Sequence, residues 1–364
     1  MSDHKTLLNL REFEAAASAC LPRMVFDYYA GGAGDEVTLR AARDAWDAIA
    51  IRYRVLRDVS RRSLAANVLG DALDFPLLVA PMAFQRLAHP DGELATARAA
   101  AAAGIGMILS TLATNSIEDV RAATAGPLWF QLYIYRDRGA SRALVERAER
   151  AGCTALVLTV DSPLLGRRER DARNAFHVSD DFTVPNLTGD PRAALAAADA
   201  HGGGESALAH FVETHWDSSI SWRDVEWLRT ITRLPVLVKG IVRGDDAALA
   251  LDHGATGVIV SNHGGRQLDT AVSSARALPE VADAMAGRGA LLVDGGIRRG
   301  TDLVKALALG ADAVLLGRPV LWGLALGGAE GVSRVLELLR AEFDLALALT
   351  GCDSPAALTR DFLT

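Results

Sequence analysis

The sequence predicts a closed (β/α)8 barrel, and two observations lead to this fold class. From residue 77 onward, short aliphatic or β-branched segments alternate with alanine-rich amphipathic segments, as in a parallel sheet with helical crossovers. Eight such strand segments occur, which favours a barrel over a doubly wound sheet, since the latter usually has fewer strands. The predicted strands cover residues 77–82, 106–110, 128–133, 155–161, 236–239, 257–261, 290–294 and 313–317.

The second observation is a glycine that recurs between a helical segment and the next strand. Glycine readily adopts the left-handed backbone that ends many helices and redirects the chain. Each unit is therefore predicted to run from a helix, through a glycine, into a strand. The glycines in this position are Gly104, Gly152, Gly254 and Gly310.

The composition argues against several classes of protein. The chain has 364 residues, is 50% hydrophobic, and carries a net charge of -7 without a block of Lys and Arg, so nucleic acid is not an expected partner. No apolar segment approaches the roughly 20 residues of a spanning helix. Residues 1–20 mix charged with apolar side chains, and a cytoplasmic location is predicted. The cysteines Cys20, Cys153 and Cys352 form no metal-binding pattern, so no metal site is predicted.

One domain is predicted to span residues 1–364, with two additions to the barrel. Residues 1–76 are expected to form a helical cap, with helices near residues 10–19 and 36–45. Residues 179–219 form an insertion after the fourth strand that is far longer than a βα loop requires. Both a mobile lid over the site and a disordered loop fit the composition of this insertion.

Polar residues end most of the predicted strands, which is where barrel enzymes carry their active sites. A solvated rim would explain scattered polar residues, but it does not predict polar residues at the ends of aliphatic strands. The pattern therefore favours one converging site. Its candidate residues are Ser110, Gln131, Tyr133, Thr159, Asp161, Lys239, Ser261, His263, Arg266, Asp294, Arg298 and Arg318.

The last two strands end in glycine–arginine turns, at residues 294–298 (DGGIR) and 317–319 (GRP). Loops in these positions bind phosphate in such barrels, because glycine lets backbone N–H groups approach an anion. Another cation, Lys239, ends the fifth strand and is costly to bury without an anion. It could be a Schiff-base nucleophile, an ion-pair partner, or a positive charge beside an anionic cofactor, and the phosphate turns favour the third.

His263 differs from the other histidines because it follows a strand and precedes two glycines and Arg266. A histidine with a pKa near neutral can remove a proton, while a nearby guanidinium can bind a carboxylate of the same substrate. This spacing suits a 2-hydroxy acid. Arg168, after the fourth strand, could complete the carboxylate site, although its arginine neighbours also fit a solvated basic patch.

In combination, these motifs resemble the FMN-dependent 2-hydroxy acid oxidases and dehydrogenases, which include glycolate-, lactate- and mandelate-oxidising enzymes. The resemblance covers nearly the whole chain. The motifs are specific for this family together, whereas none of them is specific alone. Besides the two phosphate turns, the motifs are residues 27–33 (DYYAGGA), 80–83 (APMA), 129–133 (WFQLY), 159–163 (TVDSP), 166–168 (GRR), 238–240 (VKG) and 261–269 (SNHGGRQLD).

The resemblance implies a role for each site residue. His263 would be the catalytic base, Asp161 its orienting carboxylate, and Tyr133 a hydrogen-bonding group near the reacting hydroxyl. Lys239 would stabilise the reduced flavin. Tyr28, Arg168 and Arg266 would bind the substrate carboxylate; Pro81, Met82, Ala83, Ser110, Gln131, Thr159 and Ser261 would hold the flavin ring; Asp294, Gly295, Gly296, Arg298, Gly317 and Arg318 would hold the ribityl phosphate.

The implied activity is oxidation of an (S)-2-hydroxy acid to the 2-oxo acid by a homotetramer, with electrons passed to oxygen to give hydrogen peroxide. Alternatives are a dehydrogenase with another acceptor and a flavin- or phosphate-binding barrel without this chemistry. Leu112 stands where plant glycolate oxidases carry a tryptophan beside the substrate. With Met82, it favours a bulkier substrate than glycolate, of the mandelate type or lactate.

Overall fold

The computed structural model describes residues 4–178, 183–187 and 207–364. Its barrel strands are β3 (Leu77–Val79), β4 (Gly106–Leu109), β5 (Leu128–Leu132), β6 (Ala155–Thr159), β7 (Val236–Ile241), β8 (Gly257–Val260), β9 (Ala290–Val293) and β10 (Ala313–Leu316). These strands close into a barrel in the order β10-β3-β4-β5-β6-β7-β8-β9, and all neighbours pair in parallel. The closed parallel sheet confirms the predicted (β/α)8 barrel.

All strands except β7 end before their predicted limits. The polar residue expected at the strand end instead begins the following loop, as Asp161 does after β6 and Asp294 does after β9. β7 extends to Ile241 and shifts its register against β8 between Lys239 and Ile241. Gln131, Thr159 and Lys239 lie in the last part of their strands. The other candidate residues that follow strands lie in the loops, and both groups are therefore at the carboxyl end of the barrel.

Helices cover the outside of the barrel. The predicted glycine stops are confirmed, because Gly104, Gly152, Gly254 and Gly310 have φ values of 66°, 85°, 93° and 112°. The helices are α1 (Leu10–Cys20), α2 (Arg23–Ala30), α3 (Val37–Asp47), α4 (Gly92–Ala102), α5 (Ile117–Ala123), α6 (Arg138–Ala151), α7 (Glu169–Arg173), α8 (Ala207–His215), α9 (Trp222–Ile231), α10 (Gly244–Asp252), α11 (Ser274–Met285), α12 (Gly300–Ala308) and α13 (Arg318–Thr350), the last interrupted by non-helical backbone at Gly327 and Gly328.

The segment before the barrel contains the two expected helices, α1 and α3, and a third helix, α2, between them. It also contains an antiparallel hairpin that the sequence analysis missed, formed by β1 (Ala66–Val68) and β2 (Asp71–Leu73). Asp71 accepts hydrogen bonds from Trp129 Nε1 and Thr154 Oγ1, both at 2.7 Å. Since Thr154 immediately precedes β6, the hairpin covers the N-terminal end of the barrel.

The barrel interior is a packed core. Val68 and Leu73 of the hairpin belong to one buried cluster with Trp129, Leu237 and Ile259, which come from β5, β7 and β8. A filled interior leaves the opposite end, at the carboxyl ends of the strands, as the face available for a site.

The described part of the insertion is fixed to the loop after β5. Tyr135 and Trp216 form an antiparallel bridge, Arg136 N donates to His215 O at 2.9 Å, and Asp217 N donates to Ile134 O at 2.9 Å. Most of the predicted lid, residues 179–182 and 188–206, lies outside the described residues. Across the described ranges, no helix is both long and apolar enough to cross a membrane.

Candidate active site

A single cavity at the carboxyl ends of the strands brings most of the candidate residues together. It contains about 1130 Å³ of space free of protein atoms, which includes the solvent at its open mouth. The predicted residues that line it are Tyr28, Pro81, Met82, Ala83, Ser110, Leu112, Gln131, Tyr133, Thr159, Arg168, Lys239, His263, Arg266, Asp294, Gly295, Gly296, Arg298, Gly317 and Arg318.

Two predicted residues, Asp161 and Ser261, lie behind this lining. Asp161 contacts His263, and Ser261 Oγ accepts a hydrogen bond from Lys239 Nζ at 2.9 Å. Each therefore reaches the cavity through a residue that lines it. Ser261 is fully buried, so its side chain supports Lys239 and does not face the cavity.

The central feature of the site is a histidine–aspartate pair. His263 Nδ1 lies 2.8 Å from Asp161 Oδ1, and the Ser162 hydroxyl lies 3.1 Å from the same oxygen. Because Nδ1 faces a carboxylate, the other ring nitrogen, Nε2, is available to a substrate. This is the arrangement of a general base oriented by a carboxylate.

His263 has an unusual backbone conformation for a non-glycine residue, with φ at 56°. The turn around it is held by Asn262, whose Oδ1 accepts from Gly265 N at 3.2 Å and whose Nδ2 donates to Val272 O at 3.1 Å. His263 N itself donates to Ser261 Oγ at 3.0 Å. Strained backbone that the surroundings hold in place is a recurrent property of functional sites.

The charges around the pair favour a neutral histidine beside an ionised aspartate. Burial lowers the pKa of His263 below its ordinary value; Asp161 opposes this shift, while Lys239 and Arg168 add to it. Burial would raise the pKa of Asp161, but His263, Lys239 and a hydrogen bond from Ser162 outweigh it and lower that pKa. A neutral imidazole at neutral pH can accept a proton.

Two arginines, the buried Arg168 and the half-buried Arg266, lie in the same cavity. Arg266 Nη1 donates to Tyr28 O at 2.6 Å and Gly31 O at 2.9 Å, and its guanidinium lies 5.0 Å from the centre of the Tyr28 ring. Arg168 Nε lies 3.4 Å from Arg266 O. Burial and the charge of Arg266 lower the pKa of Arg168 to about 10. Crowded, desolvated cations of this kind favour an anionic ligand.

The structure separates Arg168 from its arginine neighbours. Arg167 is exposed, and Arg170 pairs with Glu36 at 2.5 Å and Asp27 at 3.4 Å. Arg168 alone of these three lines the cavity. The alternative of a solvated basic patch therefore applies to Arg167 and not to Arg168.

The two glycine–arginine turns form a second cationic region of the cavity. Gly295 and Gly296 have φ values of 89° and 80°, and a Cβ at Gly296 would lie 2.3 Å from Ala42 O, so only glycine fits there. Burial lowers the pKa of Arg298. Burial and the nearby Arg266 lower the pKa of Arg318 to about 9. Glycine backbone and buried guanidinium groups are typical of a phosphate site.

Other residues of the site carry buried polar atoms that suit a flavin ring. Within the described residues, Gln131 Nε2, Thr159 Oγ1 and Asp294 Oδ1 are buried without a hydrogen-bond partner. Such groups are rare in folded proteins and indicate a missing partner. A flavin offers both donors and acceptors at its ring edge and hydroxyls on its ribityl chain, so these residues fit FMN.

Lys239 is buried beside one of these residues, 3.2 Å from Asp294 Oδ2. Burial alone would lower its pKa, but Asp294 and Asp161 outweigh burial and raise it. The lysine is therefore charged, which disfavours a Schiff-base nucleophile, since that role needs a neutral amine. An ion-pair partner and a positive charge beside a cofactor are both compatible with this geometry.

Several cavity residues were not predicted from the sequence. Ser162 and Gln267 are neighbours of predicted residues, so their positions follow from the same motifs. Leu208 and Trp216 come from the insertion, where no motif marks them. Their place in the site depends on how the end of the insertion pairs with the loop after β5, which the sequence does not encode locally.

The fold and this cavity define a barrel enzyme with a histidine–aspartate pair, buried arginines and glycine–arginine turns around one ligand site. The chain belongs to the FMN-dependent dehydrogenase family, whose model matches residues 17–364. Its cofactor is therefore FMN.

Known relatives match over almost the full length. An L-lactate oxidase from Nostoc sp. is 52% identical over 360 residues, covering 98% of both chains. Glycolate oxidase 1 from Oryza sativa subsp. indica is 50% identical over 354 residues, covering 97% of this chain and 95% of the relative. Among solved structures, mandelate oxidase with (S)-4-hydroxymandelic acid matches with a TM-score of 0.93 and 45% identity, covering 98% of both chains.

Proposed function

We propose that the protein oxidises an (S)-2-hydroxy acid to the 2-oxo acid, with oxygen as the electron acceptor and hydrogen peroxide as the second product. The observation that carries this proposal is the placement of the His263–Asp161 pair, at 2.8 Å, in one cavity with Arg168 and Arg266. A base and a carboxylate site are what a 2-hydroxy acid requires. Relatives named L-lactate oxidase and glycolate oxidase support oxygen as the acceptor.

The substrate carboxylate binds to Arg168 and Arg266, with the Tyr28 ring against the Arg266 guanidinium. Carbonyl groups at the end of α2 hold Nη1 of Arg266, which fixes the plane of that guanidinium. Arg168 packs against the Arg266 backbone. A fixed pair of guanidinium groups orients the carboxylate and therefore the adjacent carbon.

His263 acts as the base through Nε2, and Asp161 stabilises the imidazolium that forms when the proton is taken. Tyr133 places its hydroxyl near Ser162 and hydrogen-bonds near the reacting hydroxyl of the substrate. Burial and Asp161 raise the pKa of Tyr133, so the phenol keeps its proton and can donate it.

When bound, FMN would supply the two-electron acceptor for the substrate and the group from which oxygen is reduced. Gln131 and Thr159 would hydrogen-bond the flavin ring through their buried, unpartnered atoms. Lys239 would place its positive charge beside the ring. Arg298 and Arg318 would hold the phosphate, together with the glycine backbone of both turns.

Asp294 has a different place from the one expected at the phosphate. Its Oδ2 pairs with Lys239 at 3.2 Å, and a second anion beside a phosphate would be repelled. Its unpartnered Oδ1 is a hydrogen-bond acceptor. We therefore assign this oxygen to a ribityl hydroxyl.

The substrate side chain is larger than that of glycolate. Met82, Leu112, Leu165, Leu208 and Trp216 give the cavity an apolar wall, and burial of apolar surface favours a bulky apolar substituent. A mandelate-type acid or lactate fits this wall. The similarity to mandelate oxidase over 98% of the chain supports the aromatic choice.

The test is anaerobic mixing of the purified yellow protein with (S)-mandelate, L-lactate or glycolate. Mandelate or lactate should bleach the flavin, and air should restore the colour while one peroxide forms per substrate oxidised. No bleaching by any of these acids would refute the proposal. Bleaching without rapid recovery in air would instead support the FMN-dependent dehydrogenase with another acceptor. The homotetramer, the single domain over residues 1–364 and the cytoplasmic location stay predictions.

A further inference from the structure

Trp216 covers one face of Tyr133. The two rings are stacked, with centroids 3.7 Å apart and planes inclined by 18°, and both residues line the cavity. We propose that Trp216 is a positioning residue that acts on the reaction through Tyr133. This inference rests on the proposed function, in which the Tyr133 hydroxyl hydrogen-bonds near the reacting group.

The backbone places Trp216 rigidly relative to Tyr133. Hydrogen bonds join Arg136 N to His215 O and Asp217 N to Ile134 O, both at 2.9 Å, so the chain on each side of the indole is tied to the loop after β5. Arg136 Nε also donates to Trp216 O at 3.2 Å. Tyr133 begins this same loop. The two rings therefore belong to one unit, in which the loop after β5 pairs with residues 215–217.

Salt bridges reinforce this unit. Arg138, at the start of α6, pairs with Asp217 at 2.6 Å and Asp224 at 2.7 Å. These contacts join the residue after Trp216 to α6 and α9. The indole therefore has a fixed position from which to restrain the phenol.

The stacking restricts the motion that would misplace the Tyr133 hydroxyl. Trp216 is only 4% exposed, so the indole cannot move aside into solvent. At a centroid distance of 3.7 Å the indole blocks movement of the phenol toward that face. The hydroxyl is thereby held beside Ser162 and the His263–Asp161 pair, where a small displacement lowers the rate of the chemical step.

The indole N–H faces Tyr135, which also pairs with Trp216 through the backbone. A side-chain hydrogen bond with Trp216 lowers the pKa of Tyr135 against the larger, opposing effect of burial. The N–H group therefore helps to hold the indole in its place against Tyr133.

The test is a double-mutant cycle between Trp216→Leu and Tyr133→Phe in the FMN-loaded protein. Two quantities are measured: the limiting rate of anaerobic flavin bleaching by (S)-mandelate, and the dissociation constant of benzoylformate, the corresponding 2-oxo acid. Trp216→Leu should slow bleaching about 10-fold when Tyr133 is present and less than about 2-fold in the Tyr133→Phe background, because coupled residues are not additive. Benzoylformate affinity should show the same coupling.

Conservative and control variants separate positioning from general damage. Trp216→Phe preserves a ring stack and should stay within about 3-fold of the wild type. Trp222→Leu is the matched control, since Trp222 stacks on His253 outside the cavity, and it should change neither quantity. If Trp216→Leu does not bind FMN, Trp216→Met replaces it in the cycle.

Equal losses in both Tyr133 backgrounds would overturn the proposal, because Trp216 would then act independently of the phenol. Unchanged bleaching and benzoylformate affinity in Trp216→Leu would also overturn it. Failure of the wild-type protein to bleach with any 2-hydroxy acid would refute the proposed function instead. In that case, the coupling between Trp216 and Tyr133 would still be measured through the dissociation constants of benzoylformate for the four proteins of the cycle.

Discussion

Asp161 Oδ1 lies 2.8 Å from His263 Nδ1 across an intervening strand. Asp161 follows β6 and His263 follows β8, and β7 runs between them. At this level β7 carries Gly240, with φ at 113°, where a Cβ would lie 2.6 Å from the Asp161 Cβ. The missing side chain gives Asp161 the space to reach His263. Gly240 therefore makes room for the contact between Asp161 and His263, while Lys239, the residue before it, faces the cavity.

The Asp161→Asn variant tests the electrostatic part of this contact. The base must be neutral, so kcat/KM falls as pH drops through the pKa of His263, which burial holds below 6.5 against the opposing effect of Asp161. Removing the carboxylate lowers that pKa further and moves the acid limb to lower pH. The plateau should fall by about 100-fold or more, since the imidazolium loses its stabilising partner.

The measurement is a pH profile of kcat/KM for both proteins. Ser162→Ala serves as the milder comparison, because it removes a neighbouring hydroxyl but keeps the charge. An acid limb that moves to higher pH in Asp161→Asn would contradict the assigned electrostatics.

Arg168→Met tests the carboxylate site. Loss of a buried, bidentate partner should lower kcat/KM by about 100-fold, mainly through KM, while FMN stays bound. Arg167→Met is the matched control, because Arg167 is the exposed neighbour in sequence, and its kinetics should match the wild type. If both substitutions have the same effect, Arg168 is part of a solvated basic patch and not of a carboxylate site.

Arg298→Met tests the phosphate site by cofactor affinity alone. Arg298 is largely buried and faces the cavity, whereas the next residue, Arg299, is about half exposed and pairs with Glu342 at 3.2 Å. Titration of the apoprotein with FMN should give a dissociation constant raised by about 10-fold or more for Arg298→Met. Arg299→Met should bind FMN as the wild type does. Tighter or unchanged binding to Arg298→Met would remove this arginine from the phosphate site.

Leu112→Trp tests the size of the substrate pocket. Leu112 is buried at the start of the loop after β4, and its carbonyl accepts a hydrogen bond from Phe84 N at 3.1 Å, so the backbone has little freedom to accommodate a larger side chain. The added ring should lower kcat/KM for (S)-mandelate by about 10-fold relative to glycolate. Steady-state kinetics on both acids measure this ratio. If kcat/KM for (S)-mandelate relative to glycolate rises instead, Leu112 does not limit the size of the side-chain pocket.

The sequence predicts those parts of the molecule that depend on local patterns. Strand and helix periodicity placed the barrel, glycine at helix ends placed the turns, and polar strand ends placed most of the site. Two features escaped because they depend on long-range packing. The β1–β2 hairpin has strands of three residues, too short for a recognisable alternation. Trp216 enters the cavity only through its pairing with residues 134–136, which no local signal encodes.

Strand-end position alone does not separate residues that line the cavity from residues behind the lining. Asp161 lies behind His263, as expected of an orienting carboxylate, and Ser261 lies behind Lys239. Sequence position gives the level of a side chain along the barrel axis. It does not give the layer in which that side chain lies, because this depends on the size of the neighbouring side chains, such as Lys239 in front of Ser261.

The most direct measurement is the rate of anaerobic flavin bleaching by (S)-mandelate in His263→Ala, compared with the wild type and with His253→Ala. His253 pairs with Glu226 on the half-exposed surface outside the cavity, so its removal should leave the rate unchanged. His263→Ala should bind FMN normally and bleach at least about 1000-fold more slowly, because the base is lost. Bleaching of FMN-loaded His263→Ala at the wild-type rate would contradict the role of His263 as the base.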